Sequence, residues 1–215
     1  MRIELGKRVQ CADDRARKVV DVVLDAASHR VTHLVVQPDD ELEAARLVPI
    51  ELAHWPGEGR EIALRCNAEM LEQLEPVSEF AFVQPGEPVP DDPKWDVGVE
   101  DYYPTSYYNP SDFGAYVPEL DAGVGIRYDR VPKGEIELRH ASAVYSSERD
   151  HLGRVEGVLV DGSDLVTHLL LERGHLWWRR EIAVPVDAVA KFETDVVHLR
   201  VSKSDLSRFR SRRRR

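Results

Sequence analysis

An internal repeat constrains this sequence more than any other feature does. The segment Val31-Thr32-His33-Leu34 returns as Val166-Thr167-His168-Leu169, at an offset of 135 residues. Three further matches keep the same order at an offset of 135 or 136 residues: Asp25 with Asp161, Val48-Pro49 with Val184-Pro185, and Leu64-Arg65 with Leu199-Arg200. Matches so widely spaced and so constant in offset indicate one module carried twice. A further match, of Ile3-Glu4-Leu5 with Ile136-Glu137-Leu138, lies a few residues out of register.

Each copy has the residue pattern of short β-strands. In both copies a run rich in β-branched residues ends at the shared Asp, and a polar turn and a second apolar run follow. The paired runs are 19–24 with 31–36 in the first copy and 155–160 with 165–171 in the second. This pattern predicts a β-hairpin in each copy. A further strand should end at the Val-Pro pair, because proline cannot donate a ladder hydrogen bond, and a last strand is centred on Leu64 or Leu199.

A short helix is expected at the end of each copy. Asn67 and Ser202 are suitable residues to cap these helices, and apolar residues at i, i+3 spacing would lie against the sheet. The apolar pairs are Leu71 with Leu74 and Leu206 with Phe209. Short strands in so small a module would leave two open edges unless the sheet closes. The predicted fold is therefore mainly all-β, with two small β-barrels that are each followed by a short helix.

Several of these elements resemble the pattern of PRC-barrel proteins: the hairpin with its shared Asp, the Val-Thr-His-Leu strand, the Val-Pro turn, and the Leu-Arg strand with its helix. The segment Gly174-His175-Leu176-Trp177, followed by 179–185, is most similar to PRC-barrel proteins of actinobacteria. The resemblance covers about 150 of the 215 residues. The first copy departs from it at Arg17, where the second copy supplies the expected glycine, Gly153.

The resemblance implies a barrel that binds a larger assembly. The family includes the H subunit of the photosynthetic reaction centre and a maturation factor of the small ribosomal subunit. This sequence lacks the transmembrane helix of the first and the second domain of the other, so neither function is carried over.

The segment between the two copies differs from both in composition. Nine of the thirteen prolines lie between Pro76 and Pro132, and six of the seven tyrosines lie between Tyr102 and Tyr128. Residues 87–93 are too rich in proline for a helix or a paired strand, but the tyrosines exceed what disordered chains usually contain. Both a spacer and a partly ordered segment whose rings rest on a barrel fit these features. The expected organisation is a first barrel (1–76), an acidic Pro/Tyr-rich linker (77–134), a second barrel (135–210) and an Arg tail (211–215).

Composition narrows the class of protein and its location. A hydrophobic fraction of 42% with 32% charged residues is ordinary for a soluble globular protein. The sequence has no apolar run long enough to span a membrane and no apolar core of a secretory signal, so a cytoplasmic location is expected. The two cysteines, Cys11 and Cys66, are too few for a disulfide framework or a metal cluster. We interpret them as reduced core residues.

The sequence predicts no catalytic residues, no cofactor and no metal site. It has neither a Gly-x-Ser-x-Gly elbow nor a glycine-rich phosphate loop. His29 and His33 are four residues apart, but they enter a strand, whereas a zinc pair with this spacing needs one helix face. His33 and His168 are repeat equivalents, so each is expected to serve the barrel itself.

Two features are candidates for binding a partner. The first is a strand-like stretch in which Trp177 and Trp178 are adjacent and must point to opposite faces. With His175, Arg179 and Arg180 beside them, an exposed tryptophan here has the composition of a protein-binding hot spot. Alternatively, the second ring packs on the middle segment or on the other barrel.

The second feature is a run of arginines at the C-terminus of a chain whose net charge is −10. Its six members are Arg208, Arg210, Arg212, Arg213, Arg214 and Arg215. They could neutralise nucleic-acid phosphates, contact an anionic membrane surface, fold back on the acidic middle segment, or form a solvated tail.

The leading hypothesis is a non-enzymatic adaptor that docks on a larger protein or ribonucleoprotein assembly through the Trp-Arg stretch. One alternative is a nucleic-acid-associated protein that uses the Arg tail. Another is a small-molecule or metal-responsive binding module. We also expect the two barrels to pair within the chain, because a single barrel is near the size at which one core is marginal.

Overall fold

The computed structural model describes residues 1–13, 15–37, 45–56, 61–83, 94–103, 124–174, 179–193 and 195–213. They fall into two compact units. The first unit combines Met1–Glu75 with Gly134–Arg215, and the second is Pro76–Lys133. The described residues are mainly β-strand, as the sequence predicted, and they include a nearly closed, barrel-like sheet.

A seven-stranded sheet contains most of the first copy. Its strands are β2 (Lys7–Gln10), β3 (Ala16–Asp25), β4 (Val31–Gln37), β5 (Arg46–Pro49), β6 (Ala53–His54), β7 (Ile62–Leu64) and β11 (Glu135–Arg139). The strand order is β5-β4-β3-β2-β7-β6, with β11 paired on β3. Strands β3 and β4 form the predicted hairpin, with Val22 opposite Leu34, and β2 runs parallel to β7.

An eight-stranded sheet contains most of the second copy. Its strands are β1 (Arg2–Glu4), β12 (Ala143–Tyr145), β13 (His151–Val160), β14 (Val166–Arg173), β15 (Arg180–Pro185), β16 (Val189–Phe192), β17 (Val196–Leu199) and β18 (Ser211–Arg213). The order is β16-β17-β12-β13-β14-β15-β18, with β1 paired on β13. Strands β13 and β14 form the second predicted hairpin, with Val158 opposite Leu169, and β12 runs parallel to β17.

Within the first unit, the first strand of each copy, β1 or β11, pairs with the sheet that contains most of the other copy. Strand β1 lies on β13 with Ile3 opposite Val158, and β11 lies on β3 with Leu138 opposite Val22. Both Ile3 and Leu138 are fully buried. Because Val22 and Val158 are repeat equivalents, this register makes Ile3 correspond to Leu138. The sequence match of Ile3 with Ile136, which lies out of register in the sequence, is thus displaced by two residues from the structural equivalence.

A reciprocal pair of backbone hydrogen bonds joins the turns that follow β3 and β13. The N–H of Val31 donates to the carbonyl of Asp164 at 2.9 Å, and the N–H of Val166 donates to the carbonyl of His29 at 3.0 Å. Both donors and both acceptors are related by the 135-residue offset. Each turn therefore donates to the other the same hydrogen bond that it accepts. This reciprocity matches that of β1 and β11, each of which pairs with the sheet of the other copy.

In each hairpin, the carboxylate of the aspartate that both copies share stabilises the turn by accepting backbone hydrogen bonds. A carboxylate oxygen of Asp25 accepts the N–H of Ser28 at 2.6 Å. The carboxylate of Asp161 accepts the N–H groups of Ser163 and Leu165 at 2.7 and 3.1 Å. These hydrogen bonds lower the pKa of both carboxyl groups, because they stabilise the charged form.

A single apolar cluster contains buried residues from both halves of the first unit. Strands β4 and β14 contribute to it with the same burial pattern, since Val31 and Leu34 are buried in one and Val166 and Leu169 in the other. Burying an aliphatic side chain of this size contributes about 1.5–3 kcal/mol. The repeated apolar positions therefore stabilise one shared core.

A short helical turn follows the last strand of each copy. In the first copy, α1 (Ala68–Glu72) begins at Asn67, whose side chain accepts a backbone N–H at 2.9 Å. In the second copy the turn is a 3₁₀ helix, Asp205–Arg208, and Ser202 holds its start by donating from its hydroxyl to Asp205 at 2.7 Å. Buried leucines, Leu71 and Leu206, anchor the two turns. No helix among the described residues is long and apolar enough to cross a membrane.

The second unit contains a three-stranded antiparallel sheet. Its strands are β8 (Ser78–Val83), β9 (Trp95–Tyr103) and β10 (Val124–Pro132), with β10 in the middle. The guanidinium of Arg130 lies 4.7 Å from the centre of the Trp95 ring, which is a cation–π contact. Most of the prolines, including those of 87–93, lie outside the described residues. The expected contact of tyrosine rings with a barrel also falls on side chains outside them.

Candidate docking face

The aromatic part of the predicted partner site, His175, Trp177 and Trp178, lies outside the described residues. The basic part, Arg179 and Arg180, is described and exposed. Arg180 begins β15. Arg179 pairs with Glu172 of β14, with 3.2 Å between Nη1 and Oε1. The described part of the predicted site therefore lies at the loop end of the β14–β15 hairpin.

The C-terminal arginines reach the same end of the sheet. Strand β18 pairs with β15, with Arg213 opposite Arg180, and the carbonyl of Arg210 accepts the N–H of Ala183 at 3.0 Å. Residues 211–213 are thus part of the sheet and not a solvated tail. The physical reason is that the outer edge of β15 offers unpaired backbone groups, which a further strand satisfies.

The other members of the C-terminal run are placed differently. Arg208 is exposed, and its Nη1 lies 3.1 Å from Oδ1 of Asp205. Arg212 lies opposite Glu181 in the β15–β18 register. The last two residues, Arg214 and Arg215, lie outside the described residues.

Three arginines lie side by side across three neighbouring strands. Arg173 of β14 is opposite Arg180 of β15, and Arg180 is opposite Arg213 of β18. We call these three residues the arginine row. Like charges directly opposite each other, as at Arg173 and Arg180, destabilise a sheet, and within the described part of the chain no carboxylate pairs with either side chain. An anionic partner would relieve this repulsion.

A cleft of about 520 Å³ lies at the same end of the hairpin. It is lined by His151, Leu152, Gly153, Arg154, Glu172, Arg173, Gly174 and Arg179. Arg154 and Arg173 were not predicted as site residues, because no sequence motif contains them. The available signal was the difference between the copies, in which Gly153 replaces Arg17. A Cβ at Gly153 would lie 2.1 Å from the backbone oxygen of Glu172, so the close approach of β13 and β14 requires glycine there.

The cysteines and the repeat-equivalent histidines have structural surroundings. Cys11 and Cys66 are free and buried, and burial raises the pKa of both thiols, which disfavours the reactive thiolate. In His33 and His168, Nδ1 lies 3.1 Å from the hydroxyl of the preceding threonine. No group of three or more His, Cys, Asp or Glu side chains suited to a metal ion occurs in the part of the chain that the structure describes.

Asp21, in β3 of the first copy, has a raised pKa and is not part of the docking face. Burial raises the pKa of Asp21 to about 6, although the backbone N–H of His140, 2.6 Å from its carboxylate, and the charge of Arg139 oppose this rise. Asp21 lies opposite Arg139, where β11 joins β3. The equivalent position in the other sheet is Gly157, which lies opposite Glu4 of β1. The carboxyl group with the raised pKa therefore lies where β11 pairs with the sheet of the first copy.

Comparison with known proteins adds no family assignment. No protein-family model and no curated protein matches this sequence. The class that the fold and the candidate site define is a mainly β protein with a basic sheet end in an acidic chain.

Proposed function

We propose that this chain is a non-enzymatic adaptor made of two PRC-like barrel modules, which docks on an anionic surface of a larger protein or ribonucleoprotein assembly. One observation carries the proposal: the register of β14, β15 and β18 joins the two regions that sequence analysis had singled out separately. We call the resulting surface the basic face. It consists of Arg173, Arg180 and strand β18, with Arg179 at the loop end of the β14–β15 hairpin.

The contacts between the two halves support the idea of paired modules. Exchange of β1 and β11 and the reciprocal hydrogen bonds of the two turns relate equivalent residues. A module of this size that shares its core with a second copy gains the buried area that it lacks alone. With the two modules paired within one chain, only the second module would carry the basic face.

Charge supports docking as the role of the basic face. A cluster of arginines creates a local positive field on a chain whose net charge is −10. Such fields speed and orient association with a surface of complementary charge. Arginine is also enriched at binding hot spots.

A nucleic acid is the second candidate partner. The specific observation in its favour is that β18 extends the arginine row into the C-terminal run. Arginines that neutralise phosphates release counterions, so this mode of binding would weaken steeply with salt.

The test is affinity capture with the full-length chain from its native lysate, with and without nuclease. The variant Arg179→Ser/Arg180→Ser should lose a defined set of nuclease-resistant partners. The matched control is Arg8→Ser/Arg65→Ser, which removes two exposed arginines of the first copy. Equal recovery with both variants would contradict the docking face. Recovery that collapses with nuclease would favour the nucleic-acid candidate.

A further inference from the structure

We propose that the outer face of the eight-stranded sheet binds single-stranded nucleic acid, whose bases stack on His151, Tyr145 and His198. This inference goes beyond the proposed function, because the rings lie on other strands than the basic face does. Binding there would not depend on Arg179, Arg180 or strand β18.

Three rings and a cation occupy opposite positions on four neighbouring strands. His151 of β13 is opposite Tyr145 of β12. Tyr145 is in turn opposite His198 of β17, and His198 is opposite Lys191 of β16. We call these four residues the ring row. Side chains at opposite positions of paired strands project from the same face of a sheet, so the row occupies one face.

The distances between the rings show that the side chains themselves are neighbours. The ring centres of Tyr145 and His151 are 5.6 Å apart, and those of Tyr145 and His198 are 6.1 Å apart with planes 25° from parallel. Rings displayed on neighbouring strands of a sheet stack two or three bases of a single strand. Imidazole and phenol rings also carry hydrogen-bonding atoms, which suit the polar edges of unpaired bases.

The ring row faces away from the core. Val144 and Val197, which precede Tyr145 and His198, are fully buried, and side chains alternate between the two faces of a strand. His151 is exposed, and the side chain of His198 is 42% exposed. A partner can therefore reach the rings from solvent.

The sheet does not need these rings, because the first copy forms the same strand pairings without them. Its equivalent row, from β3 through β2 and β7 to β6, consists of Ala16, Gln10, Ala63 and His54. Glutamine and two alanines thus stand where the second copy has its three rings. The rings are a property of the second copy that its fold does not explain, which favours a binding role.

Two cations lie on the same face as the rings. Lys191 ends the ring row on β16. Arg154 of β13 is exposed and lies opposite Ala143, which shares a face with Tyr145 because the two are two residues apart on β12. Stacking rings combined with cations are what proteins use to bind the bases and the phosphates of a single strand.

The carboxylates beside these cations are offset by positive partners. Oε1 of Glu193 lies 2.5 Å from Nζ of Lys191, and its Oε2 lies 3.6 Å from Nε2 of His198. Glu172, opposite the second cation, contacts Arg179 at 3.2 Å. Exposed ion pairs contribute little stability, so a phosphate can replace the carboxylate as the partner of Lys191. The face therefore suits a ligand that offers both planar rings and negative charge.

The experiment is fluorescence anisotropy of the full-length chain with a labelled oligouridylate of about 12 nucleotides, at about 50 mM salt. We expect saturable binding of the single strand. Binding of its duplex with oligoadenylate should be much weaker, because paired bases cannot stack on the rings. The variant Tyr145→Gln/His198→Ala, which introduces the residues of the first copy, should weaken binding about tenfold or more. The matched control His54→Ala removes an exposed imidazole from the first copy and should leave binding unchanged.

A thermal unfolding transition close to that of the wild type shows that a variant is folded. If Tyr145→Gln/His198→Ala does not fold, an NMR titration of the ¹⁵N-labelled wild-type chain with the same oligouridylate replaces it. Saturable shifts of the Tyr145 and His198 amides would then support the inference, and their absence would overturn it.

Three results would overturn the inference: no saturable binding of the oligouridylate, equal binding by the wild type and Tyr145→Gln/His198→Ala, or equal binding of the single strand and the duplex. If no oligonucleotide binds but the ring variant loses a nuclease-resistant protein in affinity capture, the ring row docks a protein and the inference is wrong. The basic face is tested by Arg179→Ser/Arg180→Ser, so the failure of either proposal is visible without the other.

Discussion

Replacing Asp21 with asparagine should stabilise the protein at neutral pH. The carboxyl group has a pKa of about 6 in the folded protein because it is buried, against 3.8 for an ordinary aspartate. The folded state therefore binds this proton more tightly than the unfolded state does. Its contribution favours folding below about pH 4 and is lost as the pH rises through about 6.

The size of the effect follows from the two pKa values. Their difference corresponds to at most about 3 kcal/mol at neutral pH. Asp21 is half-buried, so solvent screening reduces this limit, and we expect about 1–2 kcal/mol. Asparagine keeps an oxygen that can accept the backbone N–H of His140, which lies 2.6 Å from the carboxylate. The substitution thus removes the buried charge and retains the hydrogen bond.

The assay is urea unfolding of the full-length chain at several pH values between 3.5 and 8, on the order of one unit apart. We expect Asp21→Asn to raise the free energy of unfolding at pH 7.5 and to have little effect near pH 3.5. Asp25→Asn is the matched control of opposite sign, since turn N–H groups lower the pKa of Asp25. That control should destabilise the protein at neutral pH. If Asp21→Asn destabilised it at pH 7.5, attraction to Arg139 would outweigh burial, and the reasoning would be refuted.

Two further substitutions test the strand exchange. Gly157→Ala should clearly lower the melting temperature in calorimetry, because the added Cβ would lie 2.1 Å from the backbone oxygen of Ile3. The control Gly162→Ala should change the melting temperature little, because its Cβ would have no atom within 4 Å. Equal melting temperatures would argue against β1 lying on β13. Arg2→Met should cost roughly 1–3 kcal/mol in urea unfolding, because Arg2 donates to the buried Glu181 at 2.9 Å. Adding Glu181→Leu should restore much of this loss, since it removes the unpaired buried charge. An additive loss in the double variant would contradict the pairing.

The two hairpins could be predicted from sequence because their determinants are local. Apolar residues that recur along 19–24 and 31–36 fix the buried face of each strand. Asp25 and Asp161 fix the turns, since each carboxylate accepts N–H groups only a few residues further along the chain. A repeat of such local signals also predicted that both copies would fold in the same way.

The candidate site was predicted in part. Arg179 and Arg180 were identified from their composition, and the C-terminal arginines from their charge. Their common location was not predicted, because the pairing of β18 with β15 joins residues about 30 positions apart in the sequence through backbone groups that every residue carries. Arg154 and Arg173 escaped for the same reason, as the cleft forms only when β13 and β14 lie side by side.

Local sequence patterns alone predict the two hairpins, their buried faces and the recurrence of one module. The tertiary structure alone decided which sheet each first strand joins. Ile3 and Leu138 each lie opposite a repeated valine, Val158 or Val22, so the apolar pattern alone does not select the sheet. The two sheets differ at the neighbouring position, where Gly157 admits the backbone of Ile3 and Asp21 lies opposite Arg139. This difference and the reciprocal hydrogen bonds of the two turns arise only when both halves fold together.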